Sequence, residues 1–149
     1  YSLREPAARY SDAPDYFEKA TAAIEQMYRQ TGPYEIGSDG ILKKGVLIRH
    51  LILPGNLENT KGVLRYVAET FAPGQVLFSL MRQYVPWGRA SEFPEINRRL
   101  TEEEYNEAKA YMEELGIVDG YTQAADSSDA VYIPAFNGAG VREPSKEEF

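Results

Sequence analysis

Arg49 and His50 stand side by side inside an apolar run, Val46–Leu53, which otherwise reads as a buried strand. In a strand, alternate side chains share a face. Leu47, Arg49, Leu51 and Leu53 therefore point one way, and Val46, Ile48, His50 and Ile52 the other. The two polar residues cannot act on one ligand from the same face. A guanidinium set among apolar side chains needs a partner, because leaving it unpaired costs several kcal/mol. Arg49 either faces a cavity, where it could bind a carboxylate, a phosphate or a cofactor, or closes a structural salt bridge. For His50 the spacing favours a core histidine satisfied by a backbone carbonyl.

The run stops at Pro54-Gly55-Asn56. In α/β folds ligands bind at the C-terminal ends of the strands, and a glycine there lets backbone approach a ligand. A plain strand-to-helix turn fits the same residues. The stretch is not a phosphate loop, since it lacks GxxxxGK[ST] and GxGxxG. In the next apolar run Ser79, Met81 and Gln83 alternate on one face, with Arg82 and Tyr84 on the other. No Ser-His-Asp or Cys-His set and no carboxylate pair emerges. Glu102-Glu103-Glu104 suits the first turn of a helix, where negative charge is favoured. Tyr1, Tyr10 and Tyr16 suit surface or partner contacts.

The totals narrow the field. The 149 residues suffice for one domain with a core. A net charge of −7 argues against a nucleic-acid or anionic-membrane surface. No run approaches the ~18 apolar residues of a membrane span, and the polar start, Tyr1–Arg9, is no signal peptide. A cytoplasmic location is expected. The absence of cysteine excludes disulfides, zinc thiolates and any iron–sulfur cluster bound by this chain alone. A single histidine argues against a transition-metal site.

The elements that must position these residues follow from periodicity. Residues 1–14 read as a loop, with Pro6 and Pro14. A helix is expected over Asp15–Gln30, with Asp15 and Glu18 at capping-box spacing and Phe17, Ala20, Ile24 and Met27 as its stripe. Asp39-Gly40 between short apolar pieces predicts a hairpin over residues 34–45. After the Val46–Leu53 strand come a helix over Asn59–Phe71 capped by Asn59, a strand over Val76–Val85 and an irregular loop over 86–99. Thr101 with Glu104 forms a capping box for a third helix with Tyr105, Ala108, Met112 and Leu115 as its stripe, ended by Gly116. A short strand near Val118–Gln123 and a flexible tail over 137–149 complete the chain. The alternation predicts βαβ units and a parallel sheet. So few parallel strands leave sheet edges bare, which whole domains avoid. With Tyr1 in place of an initiator methionine, that points to a piece of something larger.

GVLIRHLILPGNLENT, preceded by RYSDAPDYFEKATAAIEQMYRQTG and followed by LMRQYVPWG, RRLTEEEYNEAKAYMEELG and YIPAF, resembles the C-terminal half of a radical S-adenosylmethionine family. The subgroup is that of pyruvate-formate-lyase-activating-enzyme-like iron–sulfur proteins, and the resemblance runs over residues 1–136. It implies the C-terminal half of a partial (β/α)6 TIM-like barrel, with IRHLILPG as the fifth strand. The absent N-terminal half would carry a CxxxCxxC loop and a [4Fe–4S] cluster that cleaves S-adenosylmethionine to a 5′-deoxyadenosyl radical. The glycine-rich S-adenosylmethionine motif and the acidic residue of the fourth strand are missing with it.

The resemblance implies cofactor contacts at Arg49 and at the Leu51 backbone, near the adenine. It places Gln83 and Tyr84 where activating enzymes have a histidine near the nucleoside, a departure at that place. No catalytic or metal-binding residue is expected in these 149 residues, which alone should be inactive and hold neither cofactor. The implied partners are the N-terminal half of the same chain and a glycyl-radical enzyme or other protein substrate. The alternative is a stand-alone, non-catalytic α/β module that binds a small anion or a protein partner.

Overall fold

The computed structural model describes residues 1–122. They form an α/β fold on a three-stranded parallel sheet of strand order β3-β4-β5, where β3 is Leu47–Leu51, β4 Leu77–Met81 and β5 Gly120–Thr122. Two helices, α1 (Arg4–Ser11) and α2 (Tyr16–Thr31), come first. A small antiparallel hairpin follows, of β1 (Glu35–Ile36) and β2 (Leu42–Lys44), turning at Asp39-Gly40 as the sequence predicts. Helix α3 (Leu57–Thr70) connects β3 to β4, and α4 (Glu102–Glu114) connects β4 to β5. The expected YIPAF segment and tail lie outside the described residues.

The helices cover one face of the sheet. Val46, Ile48 and Ile52 of the first strand and its flanks, with Phe78 and Leu80 of β4, pack against Leu64, Val67 and Phe71 from α3 and its end and Tyr105, Ala108 and Met112 of α4. Ile24 and Tyr28 of α2 join the same core. Consecutive strands lie side by side and both crossovers pack on one side. Parallel crossovers are right-handed, so sequential order and one-sided helices follow from the same twist. The opposite face carries Leu47, Arg49 and Leu51, and opposite them in register Leu77, Ser79 and Met81. Burial alternates along β3, with its odd residues exposed and its even residues buried. The strand thus has two distinct faces rather than the uniformly apolar pair its sequence suggests.

Three expectations are corrected in detail. Residues 4–11 are a helix, not a loop: Pro6 lies in its first turn, where no backbone N–H is required. Asp15 precedes α2 but makes no side-chain cap. Helix α3 begins two residues early, after Asn56, which leaves Asn59 to a different task. The capping box at Thr101 forms in full, with Glu104 N–H donating to Thr101 Oγ1 and Thr101 N–H donating to the Glu104 carboxylate.

Candidate functional site

Arg49 sits at the middle of β3, exposed, on the face that bears no helix in the core just described. Among the described residues it has no hydrogen-bond or ion-pair partner. It borders a cavity of about 240 Å³ together with Tyr1, Tyr16, His50, Leu51, Leu53 and Asn59. The Tyr1 and Tyr16 rings meet edge to face, 5.4 Å apart. An exposed guanidinium beside two phenols offers donors that could take an anion, because charge-assisted hydrogen bonds to Arg are strong. Leu51 shares this face and is 37% exposed, so it can offer an apolar contact beside the charge.

His50 behaves as a core residue. Its ring lies on the helix-covered side, with Nε2 3.0 Å from Thr60 Oγ1 on α3, and it stacks near Phe78 at 6.5 Å. Burial lowers its pKa to about 4. It is neutral at physiological pH and cannot serve as an acid there.

Strand β4 ends at Met81, four residues short of its sequence estimate. Tyr84 N–H donates to the Arg82 carbonyl at 2.8 Å, closing a three-residue turn that breaks the alternation. Tyr84 consequently packs with Ala90 and Ile96 in a second small cluster, and its hydroxyl donates to the Ile96 carbonyl at 3.0 Å. That cluster takes in Leu53, Tyr10 and Phe93. Gln83 is half-buried in the same turn. The structure therefore brings Arg49 and Leu51 to one cavity, whose lining includes neither Gln83 nor Tyr84. Arg82 is buried, ion-paired with Glu102 and stacked 4.5 Å over the Tyr105 ring, so it serves the framework.

The Pro54-Gly55 turn is held from behind. Gly55, at φ +69°, donates its N–H to Glu104 at 2.7 Å. The same carboxylate takes two bonds from Arg98, both 2.8 Å, and these, led by the guanidinium, lower its pKa to about 2. The one backbone donor Gly55 could have offered a ligand is already used.

Two contributors to the site escaped the sequence reading. Asn59, 2% exposed, accepts the Ser2 and Leu3 N–H groups at 2.8 and 3.1 Å, while Ser2 Oγ donates to its carbonyl at 2.6 Å. It thereby fixes Tyr1 beside Arg49. Tyr16 opens α2 at the cavity rim. No short motif marks either residue, since they meet Arg49 only through the fold. Among the described residues no group of His, Cys, Asp or Glu is placed to hold a metal ion, and no helix is long and apolar enough to cross a membrane.

No protein-family model matches the chain, and no solved structure matches it. The chain is 34% identical over 73 residues to an uncharacterized protein of Methanocaldococcus jannaschii, a span that covers 48% of this chain and 21% of that protein.

Proposed function

We propose that these residues are the C-terminal part of a partial (β/α)6 barrel in a radical S-adenosylmethionine enzyme of the activating type, with Arg49 as its cofactor-binding residue. The observation that carries this is the exposed, unpartnered guanidinium in the middle of a strand, on the sheet face away from the helical core. Strands in sequence order with helices on one side are what a barrel wall requires, its other face turned to the lumen. A doubly wound sheet would reverse its order and carry helices on both faces.

The residues fit S-adenosylmethionine in part. Arg49 would hold its carboxylate, and Leu51, exposed next to it on the same face, would lie against the adenine. Gln83 and Tyr84 would close the nucleoside end as a wall, since the Tyr84 hydroxyl is committed to Ile96. When bound and reductively cleaved, the cofactor supplies a 5′-deoxyadenosyl radical that abstracts hydrogen from a protein or peptide substrate such as a glycyl-radical enzyme. The residues do not fit a [4Fe–4S] cluster, because the chain has no cysteine and no described ligand group. The cluster belongs, in this reading, to an N-terminal half outside the 149 residues.

The test is S-adenosylmethionine binding to the intact protein by calorimetry. Arg49→Ala should weaken it about 10- to 100-fold, the loss of one charge-assisted bond, with an unchanged melting temperature. Unchanged affinity overturns the role. If the 149-residue chain alone binds simple carboxylates through Arg49 as well as the intact protein binds the cofactor, the stand-alone anion-binding module is the better reading.

A further inference from the structure

The parallel register sets Ser79 of β4 directly beside Arg49, and Tyr121 of β5 directly beside Ser79. Residues in register on neighbouring strands share a face. A guanidinium, a hydroxyl and a phenol thus form one row across the side away from the helical core. The rows before and after it on β3 and β4, Leu47–Leu77 and Leu51–Met81, are apolar. Within the polar row a short side chain stands between two long ones. Neighbouring strands lie ~4.8 Å apart, so the Arg49 and Tyr121 backbones stand about 10 Å apart. Their side chains leave a notch between them with Ser79 as its floor.

Ser79 is the one polar residue of β4, whose five residues are all buried. Its hydroxyl makes no hydrogen bond among the described residues, and neither does the Arg49 guanidinium. Every sealed side-chain nitrogen and oxygen among those residues has a partner. The Ser79 hydroxyl is therefore not sealed: it opens at the foot of the notch. For packing alone an apolar side chain would serve better there, because an unbonded polar group in a buried strand only costs stability.

We propose that the carboxylate assigned to Arg49 lies on the β4 flank of that residue, where the Ser79 hydroxyl donates to it as well, with Tyr121 as the far wall. This rests on the reading of Arg49 as a cofactor-binding residue and adds a second contact to it. Guanidinium and hydroxyl both donate, and an oxyanion accepts from both while neutralising the charge. The apolar rows on either side limit competition from water. The opposite flank, toward Tyr1, is poorer in donors. The Tyr1 hydroxyl is already bonded to Ser11 at 2.9 Å, which leaves Tyr16 as the phenol there.

The test is calorimetric titration of the intact protein with S-adenosylmethionine. Ser79→Ala should weaken binding about 5- to 10-fold at an unchanged melting temperature, and Ser79→Thr, which keeps the hydroxyl, should restore it. Arg49→Ala combined with Ser79→Ala should lose less than the product of the single losses, because both groups hold one carboxylate. Unchanged affinity in Ser79→Ala overturns the proposal, and so do fully multiplicative losses. A loss in Tyr16→Phe with none in Ser79→Ala assigns the carboxylate to the Tyr1 flank instead. Unchanged affinity in Arg49→Ala removes the reading beneath the proposal, whereas a loss in Arg49→Ala with none in Ser79→Ala removes the proposal alone. If the intact protein does not bind S-adenosylmethionine, the cofactor reading falls and acetate decides the notch. Acetate should then shift the Arg49 and Ser79 amide signals of the 149-residue chain, and less so in Ser79→Ala; no shift, or the same shift in the variant, overturns the proposal.

Discussion

The buried His50–Thr60 pair makes stability depend on pH in a defined window. His50 has a folded pKa of about 4 against an ordinary 6.5, chiefly through burial. Between those values the unfolded chain binds a proton that the folded chain does not, so stability is full above pH 6.5 and falls as pH drops toward 4. The loss between pH 7 and pH 5 is about 2 kcal/mol, read as a lower urea midpoint. His50→Ala should cost about 1–3 kcal/mol at pH 7 by stranding the Thr60 hydroxyl, and should flatten that window. A variant that loses stability at pH 7 yet keeps the slope would show that another group titrates. Glu104 acts lower. Its folded pKa of about 2, set first by Arg98, means its contribution is present above its ordinary 4.5 and lost as pH falls toward 2. Glu104→Gln should reduce the slope between pH 4.5 and 2, which Glu95 and Glu102, also lowered by their partners, share, while leaving the His50 window intact.

At the scale of elements, α4 is the segment whose local signals all agree. Thr101→Ala should lower stability by about 1 kcal/mol, measured by denaturation at neutral pH, and also loosen the Pro54-Gly55 turn, since Glu104 serves both the cap and Gly55 N–H. An unchanged Gly55 amide exchange rate in that variant would separate the two. Helix α4, the 34–45 hairpin and the strand-helix alternation were legible because capping boxes, Asp-Gly turns and periodicity act over a few residues. Helix α1 was not, because Pro6 reads as a breaker until its place in the first turn is known. The end of β4 was misjudged for a related reason: apolar Val85 extends the pattern past Met81, but a three-residue turn at Arg82–Tyr84 has already redirected the chain. Parity along β3 did give the separation of Arg49 from His50 correctly, since alternation is a property of the strand itself. Tyr1, Tyr16 and Asn59 reach Arg49 through contacts spanning tens of residues, and no local pattern encodes those.

For the whole molecule, the question is whether the Arg49 face is a surface or an interior. Leu47 and Leu51, at the β3 edge of that face, are 38% and 37% exposed, while Leu77, Ser79 and Met81 beside them on β4 are buried; Leu80 and Ile52, turned to the helices, are fully buried. Leu80→Ala should therefore cost about 2–5 kcal/mol in any context, as core truncations do. Leu51→Lys should cost under about 0.5 kcal/mol in the 149-residue chain, where water already reaches the side chain and the ammonium stays hydrated. In a polypeptide extended upstream of Tyr1, a closed barrel wall would turn that face inward. The same substitution would then bury an unpaired ammonium, and the cost should rise to several kcal/mol. Urea denaturation of both variants in both lengths of chain gives four numbers, and the argument rests on one difference among them. Leu80→Ala controls for any general change in stability on extension, because its surroundings lie on the helix-covered side. A Leu51→Lys penalty that stays small in the longer chain would mean that the face remains open to water. The unpartnered guanidinium would then belong to a surface groove rather than to a lumen.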